Sequence, residues 1–458
     1  MEALLRRVVE TRFEDLSPRN VRDVRRRFID VVGCAVGGSV AGGNEAVSTA
    51  LRRVGGPGHA TVVARGFRLP TGQAAMMNAI QCRSYDFEVS EVDFLQAEQR
   101  ATGHVCATVD WMALSVGETL CCRGTDILTA AAIGGDLAAR LASAEDFEPS
   151  RSFDLSGTVT AFGAAAAAGR LLGLDSDQLG HAFGLLPSLI SGSFQGVLDG
   201  VHAFKLHQGT AAQNALLAVD LAREGFEGVR APLFGPRGYF AQFTGSHQPE
   251  ILTRDLTGSL KTQGYHKAYP GCYGNHAALE AALSVASRSP LAPDDIREVV
   301  VEIWSDKAGS FLVRPFGAGD SPEKALFNTA YAIASAVVRG GVSLADYDAP
   351  AVADPDVLSI AARIRYEPSL PDDWGRGVAA RVHVVGFDGT THSGEVEEAR
   401  GFPGRPLSDE DLEAKYWANV EHQTNVGTEA AEEALDLLRS FEDLEDVRTV
   451  FAFLDGSR

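Results

Sequence analysis

Residues 160–174 carry the sequence TAFGAAAAAGRLLGL, which consists almost entirely of alanine, glycine and leucine. A helix with so few large side chains must approach its neighbours closely, so we predict that this helix is buried on most sides. Other apolar segments with helical spacing accompany it, namely residues 21–32, 73–81, 126–141, 178–192 and 209–224. The first 262 residues are therefore predicted to form a large all-helical domain, 1–262.

The sequence pattern changes after residue 262. Residues 296–304 are rich in β-branched side chains. The Asp388-Gly389 pair lies between two further segments of this kind and is a strong signal for a β-hairpin. Helical spacing also recurs, in residues 276–286, 322–339 and 355–364, the last with Asp354 as N-cap. Residues 263–398 are therefore predicted to form a smaller α+β domain.

Helical patterns return in residues 399–458. Ser408 and Asp411 form a pair that is typical of a capping box at a helix start. We expect these last helices to pack back on the first domain, which makes residues 263–398 an insertion. The predicted fold class is therefore mainly α.

Composition restricts the classes of partner. The 458 residues include 61 acidic and 41 basic side chains, and the formal net charge is −20. This excess of negative charge disfavours binding to nucleic acid or to anionic membranes. We find no apolar run that predicts a signal peptide or a membrane span, and we expect a cytoplasmic protein. The six cysteines lack the spacing of zinc or iron–sulfur sites.

Two segments place a lysine and a histidine at the start of a predicted helix. Residues 205–212 read KLHQGTAA and residues 267–276 read KAYPGCYGNH. Helix starts bind anions, and a desolvated lysine can bind a carboxylate or act as a base. Exposed lysines and structural histidines are the alternatives at these positions.

A third group of candidates lies earlier in the chain. Asp86 and Glu88, followed by His104, can deliver an acid and an imidazole to one cleft, although solvated loop charges are the alternative. Ser156 or Thr158 is predicted to cap the alanine-rich helix, where free N–H groups can also hold an anionic group.

Taken in order, these segments resemble the MmgE/PrpD family over almost the whole chain. The resemblance rests on residues 86–88, on the alanine-rich segment after Gly157-Thr158, and on the two lysine segments, with further matches at residues 28–35, 325–328 and 406–410. It implies a large all-helical domain, a smaller α+β lid domain inserted before the C-terminal helices, and a homodimer. It also implies a reaction on a small di- or tricarboxylate substrate, without metal or organic cofactor, in the cleft beneath the lid.

The resemblance also assigns individual residues. It places the catalytic positions on Asp86, His104, Lys205 and Lys267. Together with the candidates above, the predicted substrate contacts are Ser90, Asp154, Ser156, Thr158, His207, Cys272 and His276.

This chain departs from the family pattern at several of these positions. Glu88-Val89 stands where the family has two aspartates, and Val105 follows His104 where the family has proline. Asp154 replaces a usual histidine, and Cys272 stands where the decarboxylase has a histidine. A carboxylate in place of an imidazole weakens anion binding, so an ordinary tricarboxylate such as methylcitrate is not the expected substrate.

The leading hypothesis is a lyase that dehydrates a hydroxy carboxylate by removing a proton alpha to a carboxylate. An epimerase of an amino- or imino-dicarboxylate could use the same residues, because proton removal and return need no leaving group. Decarboxylation is the third alternative and is disfavoured by Cys272 and Asp154. A catalytically altered binding protein is the fourth.

Overall fold

Helices make up most of the first 262 residues. The computed structural model describes residues 1–92, 101–145, 153–244, 247–371, 374 and 379–456. In its first region the helices are α1 (Glu2–Glu10), α2 (Pro18–Gly38), α3 (Asn44–Val54), α4 (Thr71–Arg83), α5 (Val105–Leu120), α6 (Gly124–Ala144), α7 (Val159–Leu171), α8 (Ser176–Leu185), α9 (Gln195–Asp199), α10 (Leu206–Arg223), α11 (Tyr239–Phe243) and α12 (Glu250–Thr253).

The alanine-rich segment forms α7, which is a central helix of this region. Every residue from Val159 to Gly169 is buried, and helices α5, α6 and α10 pack against it. The approach to α6 is closest where two glycines meet, because a Cβ atom on Gly163 would lie 2.5 Å from the carbonyl oxygen of Gly134. Small side chains therefore set the spacing of the central helices.

The expectation of an entirely helical first domain is wrong at two small sheets. Strands β1 (Ala60–Val62) and β2 (Phe67–Leu69) form an antiparallel pair. Strand β3 (Ser90–Val92) pairs antiparallel with both β4 (Ala101–Gly103) and β5 (Gly264–Tyr265). Such short strands leave no alternating pattern in the sequence. Because β5 pairs with β3, this sheet joins segments on both sides of residue 262.

A four-stranded sheet dominates residues 263–398. Strand β6 (Ile296–Ile303) pairs in parallel with β7 (Ile364–Pro368) and antiparallel with β8 (Ala380–Gly386), which pairs antiparallel with β9 (Thr391–Val396). The predicted strand at 296–304 and the predicted hairpin are confirmed. The helices of this region are α13 (His276–Arg288), α14 (Pro322–Leu326), α15 (Thr329–Arg339), α16 (Ala349–Val352) and α17 (Pro355–Ala361).

Two predicted helices of this region are wrong in extent. The helix predicted for residues 322–339 is divided into α14 and α15, because the Asn328 side chain accepts a hydrogen bond from the Tyr331 amide at 2.9 Å and caps a new helix. The helix predicted for residues 355–364 ends at Ala361, and β7 begins three residues later. The predicted cap by Asp354 is confirmed.

The last described helices are α18 (Asp409–Glu421), α19 (Thr428–Arg439) and α20 (Arg448–Leu454). Helices α18 and α19 pack against α2, so the chain returns to the first helical region after the four-stranded sheet. The capping box of Ser408 and Asp411 is confirmed. The boundaries at 262 and 398 and the role of residues 263–398 as a lid remain predictions.

Helix α6 is long and apolar enough to resemble a membrane span. Its most apolar window of 18 residues has a mean hydropathy of 1.3, and all of that window is buried inside the protein. The core helices of globular proteins share this composition. The complete burial of that window is that of a core helix.

Replacing Arg27 with methionine is expected to lower the free energy of unfolding by about 3–5 kcal/mol. Nε of Arg27, on α2, donates to the Asp110 carboxylate of α5 at 3.1 Å, and both side chains are fully buried. The substitution leaves a buried carboxylate without its charge partner. Chemical denaturation measures the loss, and a double variant with Asp110→Leu should recover most of it. A loss below about 1 kcal/mol, the range of exposed ion pairs, would contradict this account.

Candidate active site

Two carboxylates follow helix α4 in a buried loop. Asp86 and Glu88 are both fully buried, so the alternative that they are solvated loop charges is wrong. The backbone at Asp86 has a φ of +47°, a left-handed conformation that is uncommon for residues other than glycine. Strained backbone of this kind concentrates at functional sites. Burial of two carboxylates and a strained backbone thus mark this loop as a candidate site.

Two buried cations lie against these carboxylates. Arg83, the last residue of α4, contacts Oδ1 of Asp86 and lies 3.5 Å from Oε1 of Glu88. Nζ of Lys267, which follows β5, donates to the backbone oxygen and to Oδ1 of Asp86, each at 2.6 Å. Arg83 is not among the site residues predicted from the sequence. An arginine in the last turn of a helix is common, so the sequence carries no signal that distinguishes it.

His104 completes the cluster. It holds the N-cap position of α5, with Nδ1 at 2.7 Å from Oε1 of Glu88 and Nε2 at 3.5 Å from Oδ1 of Asp86. Its side chain is 14% exposed, whereas that of Lys267 is 0% exposed. The structure therefore brings three of the four predicted catalytic residues into one cluster, and His104 is the most accessible of them.

Burial and neighbouring charges shift the acid–base properties of the cluster. Burial lowers the pKa of His104 to about 4, and the charge of Arg83 acts in the same direction. Burial lowers the pKa of Lys267 to about 7, although Glu88 raises it. Burial alone would raise the pKa of Glu88, but the neighbouring cations and His104 leave it well below its ordinary range. Near neutral pH the cluster holds an ionised Glu88, a neutral His104 and a lysine able to exchange a proton.

Lys205, the fourth predicted catalytic residue, lies beside the end of α4. It is only 3% exposed, so the alternative of a surface lysine is wrong. Its Nζ donates to the backbone oxygen of Gly42 at 2.5 Å and lies 3.4 Å from Oγ of Ser84. Burial lowers the pKa of Lys205 to about 8, with Glu323 opposing the shift. Lys205 is thus a buried cation next to the residue that follows Arg83.

A glycine in α10 explains how Lys205 reaches this place. Gly209 lies within α10, where a Cβ atom would stand 2.7 Å from the backbone oxygen of Met76 in α4. Its lack of a side chain lets the two helices approach closely. The small residues that follow Lys205 in the sequence therefore hold its helix against the end of α4.

Asp154 and His207 form a second buried pair. Oδ2 of Asp154 lies 3.4 Å from Nδ1 of His207, and Oδ1 accepts a hydrogen bond from the Ser156 amide at 2.8 Å. Burial alone would raise the pKa of Asp154, but His207 and then Arg83 outweigh it and hold the pKa below its ordinary range. Because Arg83 acts on the charge of Asp154, this pair lies within electrostatic reach of the cluster.

The predicted capping of α7 by Ser156 or Thr158 is wrong. Thr158 holds the N-cap position, but its side chain makes no capping bond, and its hydroxyl lies 3.0 Å from that of Tyr239. The hydroxyls of Ser156 and Ser90 are buried and have no hydrogen-bond partner among the described residues. Unpaired buried hydroxyls are suited to contact a polar ligand.

Cys272 and His276 lie in the turn and helix that follow Lys267. Burial raises the pKa of the Cys272 thiol, although Lys267 opposes this. His276 is fully buried, with Nδ1 at 3.1 Å from the Tyr265 hydroxyl and Nε2 at 3.3 Å from the backbone oxygen of Gly271. Both ring nitrogens thus face protein partners, and burial lowers the pKa of His276 to about 3. The contacts of Cys272 and His276 with substrate remain predictions.

One group in the described part of the chain has the residue types of a metal site. Ligand atoms of Asp86, Glu88 and His104 lie within 4.8 Å of one another, and carboxylates and imidazole suit divalent ions. However, Arg83 and Lys267 already lie against the same carboxylates. A divalent ion would have to compete with these two cations. The absence of a metal cofactor remains a prediction.

The chain matches two known domain families along most of its length. Residues 2–252 match the MmgE/PrpD N-terminal domain, and residues 269–441 match the MmgE/PrpD C-terminal domain. Cis-aconitate decarboxylase from Homo sapiens is 26% identical, over 85% of this chain and 80% of the relative. The decarboxylase from Mus musculus is 25% identical over the same shares. The cis-aconitate decarboxylase-like protein oryM from Aspergillus oryzae is 24% identical, over 98% of this chain and 96% of the relative.

Proposed function

This chain belongs to the MmgE/PrpD family, and we propose that it is a lyase that dehydrates a small hydroxy di- or tricarboxylate. The observation that carries the proposal is the buried cluster of Asp86, Glu88, His104 and Lys267, in which one lysine has a pKa of about 7. A buried group that titrates near neutral pH, beside a neutral imidazole, is typical of acid–base catalysis.

The proposed reaction makes two chemical demands on the site. A proton alpha to a carboxylate must leave, and the negative charge that develops must be stabilised. The leaving hydroxide must also receive a proton. In our proposal the neutral and partly exposed His104 takes the alpha proton, and Lys267 in its charged form protonates the leaving hydroxyl group. Lys205 and Arg83 supply positive charge for the substrate carboxylates.

Decarboxylation is the second candidate, favoured by the two mammalian relatives, which are cis-aconitate decarboxylases. Cys272 and Asp154 argue against it, because two imidazoles of the decarboxylase pattern are absent. The carboxylate of Asp154 also makes the surroundings of His207, 3.4 Å away, less favourable for an anion. Dehydration therefore remains the leading proposal.

The test is a product assay with the purified protein, dialysed against a chelator, and a panel of citrate-, malate- and aspartate-like carboxylates. Dehydration produces alkene absorbance without carbon dioxide. Trapped carbon dioxide would replace the proposal with decarboxylation, and exchange of the alpha proton with inversion but without an alkene would replace it with epimerisation. Ligand-induced thermal stabilisation without any turnover would indicate a binding protein.

The pH dependence of turnover follows from the same assignments. We expect kcat/KM to fall as the pH rises through about 7–8, because Lys267 and Lys205 lose their protons there. It should fall on the acid side only near pH 4, where His104 becomes charged. With two protons lost, log kcat/KM approaches a slope of about −2 on the alkaline side.

The Lys205→Arg variant separates the two lysines, because arginine keeps its charge throughout this range. Its alkaline slope should be close to about −1, one proton instead of two. A wild-type profile that is flat up to pH 9, or a variant slope equal to that of the wild type, contradicts the assignment of Lys205.

A further inference from the structure

A second buried charge cluster contacts the backbone of residues 86–89, which we call the acidic loop. Nζ of Lys415, on α18, donates to Oδ2 of Asp30, on α2, at 2.7 Å. Nδ1 of His266, which follows β5, lies 3.0 Å from the same oxygen. Lys415, Asp30 and His266 are exposed by only 6%, 2% and 6%. Three distant segments of the chain thus meet in one ionic contact.

This cluster holds the backbone of the acidic loop at two points. Oδ1 of Asp30 accepts a hydrogen bond from the amide of Val89 at 2.9 Å. Nζ of Lys415 donates to the backbone oxygen of Phe87 at 2.6 Å and lies 4.1 Å from the centre of the Phe87 ring. Residues 87 and 89 alternate along the loop with Asp86 and Glu88. The second cluster therefore binds the loop backbone, while the two carboxylates contact the catalytic cluster.

The charges within this second cluster are matched. Burial alone would raise the pKa of Asp30, but Lys415 and His266 outweigh it and keep the pKa below its ordinary value. Burial lowers the pKa of His266, although Asp30 opposes this. Near neutral pH, Asp30 is therefore an anion that can accept hydrogen bonds from Lys415, His266 and the loop amide of Val89. The Cys34 thiol also lies 3.6 Å from its Oδ1.

The loop needs such support because its backbone is strained. Asp86 has a φ of +47°, a left-handed conformation that is sterically disfavoured at a residue other than glycine. It persists only where surrounding contacts determine it. Lys267 and Arg83 hold the side chain of Asp86, but they are themselves part of the catalytic cluster. The contacts from Asp30 and Lys415 involve no side chain of that cluster, although the charge of Lys415 contributes to the lowered pKa of Lys267.

We propose that Asp30 and Lys415 are positioning residues that fix residues 86–89, and through them the carboxylates of Asp86 and Glu88, in the geometry that catalysis requires. This inference rests on the proposed function for the role of the loop in turnover. The competing explanation is an ordinary buried ion pair that only fastens α18 to α2. The two explanations differ in what happens to the loop while the protein stays folded.

The test compares three variants with the wild type. Lys415→Met removes the charge and the donated hydrogen bonds, while Lys415→Arg keeps both. Arg140→Met is the matched control, because Arg140 is fully buried and bonded to Asp136 at 2.8 Å, and none of the contacts described for it involves the loop. Each variant is examined for hydrogen exchange of the backbone amides in residues 85–90, for kcat and for KM.

In Lys415→Met we expect exchange in residues 85–90 at least about 10-fold faster than in the wild type, and kcat lower by about 10²-fold with KM changed less than about 3-fold. Lys415→Arg should restore most of the wild-type exchange protection and most of the wild-type kcat. Arg140→Met should lower the melting temperature while leaving both readouts of the folded protein unchanged.

Unchanged hydrogen exchange in Lys415→Met would overturn the proposal that Lys415 fixes residues 86–89. Faster exchange with unchanged kcat in Lys415→Met would overturn the role of Lys415 in catalysis. Equal decreases of kcat in Lys415→Met and Arg140→Met would overturn it as well. If the wild type turns over none of the carboxylates, the proposed function fails, and the exchange readout alone decides whether Lys415 fixes residues 86–89.

Discussion

Replacing Lys267 with methionine is expected to reduce kcat/KM by at least about 10³-fold. The site loses one ammonium group that both carries positive charge and protonates the leaving hydroxyl group. Nζ of Lys267 donates to two oxygens of Asp86, each at 2.6 Å, and burial lowers the pKa of Lys267 to about 7. Methionine keeps the length and volume of the stem but can neither hold a charge nor give a proton.

The measurement is steady-state kinetics on the substrate found in the product assay, with the melting temperature as a check on folding. Lys261→Met, which changes a half-buried lysine outside the cluster, is the control and should retain kcat/KM within about 3-fold, because the contact described for Lys261 is made by its backbone amide to Asp136. A folded Lys267→Met variant with more than a tenth of wild-type kcat/KM would contradict the assigned role.

Replacing Asp86 with asparagine is expected to reduce kcat/KM by about 10²–10³-fold and to move the alkaline limb of the pH profile to lower pH. Asparagine has nearly the same shape as aspartate but no charge. The positive charges of Lys267 and Arg83 are then balanced by one carboxylate fewer. A cation that loses its nearest anion has a lower pKa. Lys267 therefore gives up its proton at a lower pH than in the wild type.

The direction of this shift separates catalysis from simple destabilisation. A merely unfolded fraction lowers activity at every pH and leaves the limb in place. The profile is measured between pH 5 and pH 9 on protein whose folding is checked by circular dichroism at each pH. An unchanged limb, or one that moves to higher pH, contradicts the contact between Asp86 and the titrating lysine.

The family resemblance names Asp86, His104 and Lys267 as candidates, but only the structure shows that they form one cluster. Lys205 stands out because it precedes small residues at the start of a helix. Lys267 stands out for the same reason, but the α-helix after it begins only at His276. Arg83 was missed because an arginine at a helix end is ordinary, and only the fold shows that it faces two buried carboxylates. The contact between Asp30 and Lys415 joins residues 385 positions apart, and no local pattern predicts it.

Fold features that depend on adjacent residues could be predicted from the sequence, and those that depend on distant residues could not. The hairpin at Asp388-Gly389 and the caps at Ser408 and Asp354 were predictable because turns and caps depend on a few adjacent residues. The three-stranded sheet around β3 was not, because its strands have at most three residues and pair across the predicted domain boundary. That sheet matters because it places Lys267, two residues after β5, beside the acidic loop.

The most direct test of the central claim is the proton NMR spectrum of the wild-type protein incubated in D₂O with the hydroxy carboxylates, recorded beside Lys267→Met. The account predicts that the wild type converts at least one of them to an alkene without releasing carbon dioxide, and that the variant does so at least about 10³-fold more slowly. A wild type that leaves every compound unchanged, or a variant as fast as the wild type, would contradict it.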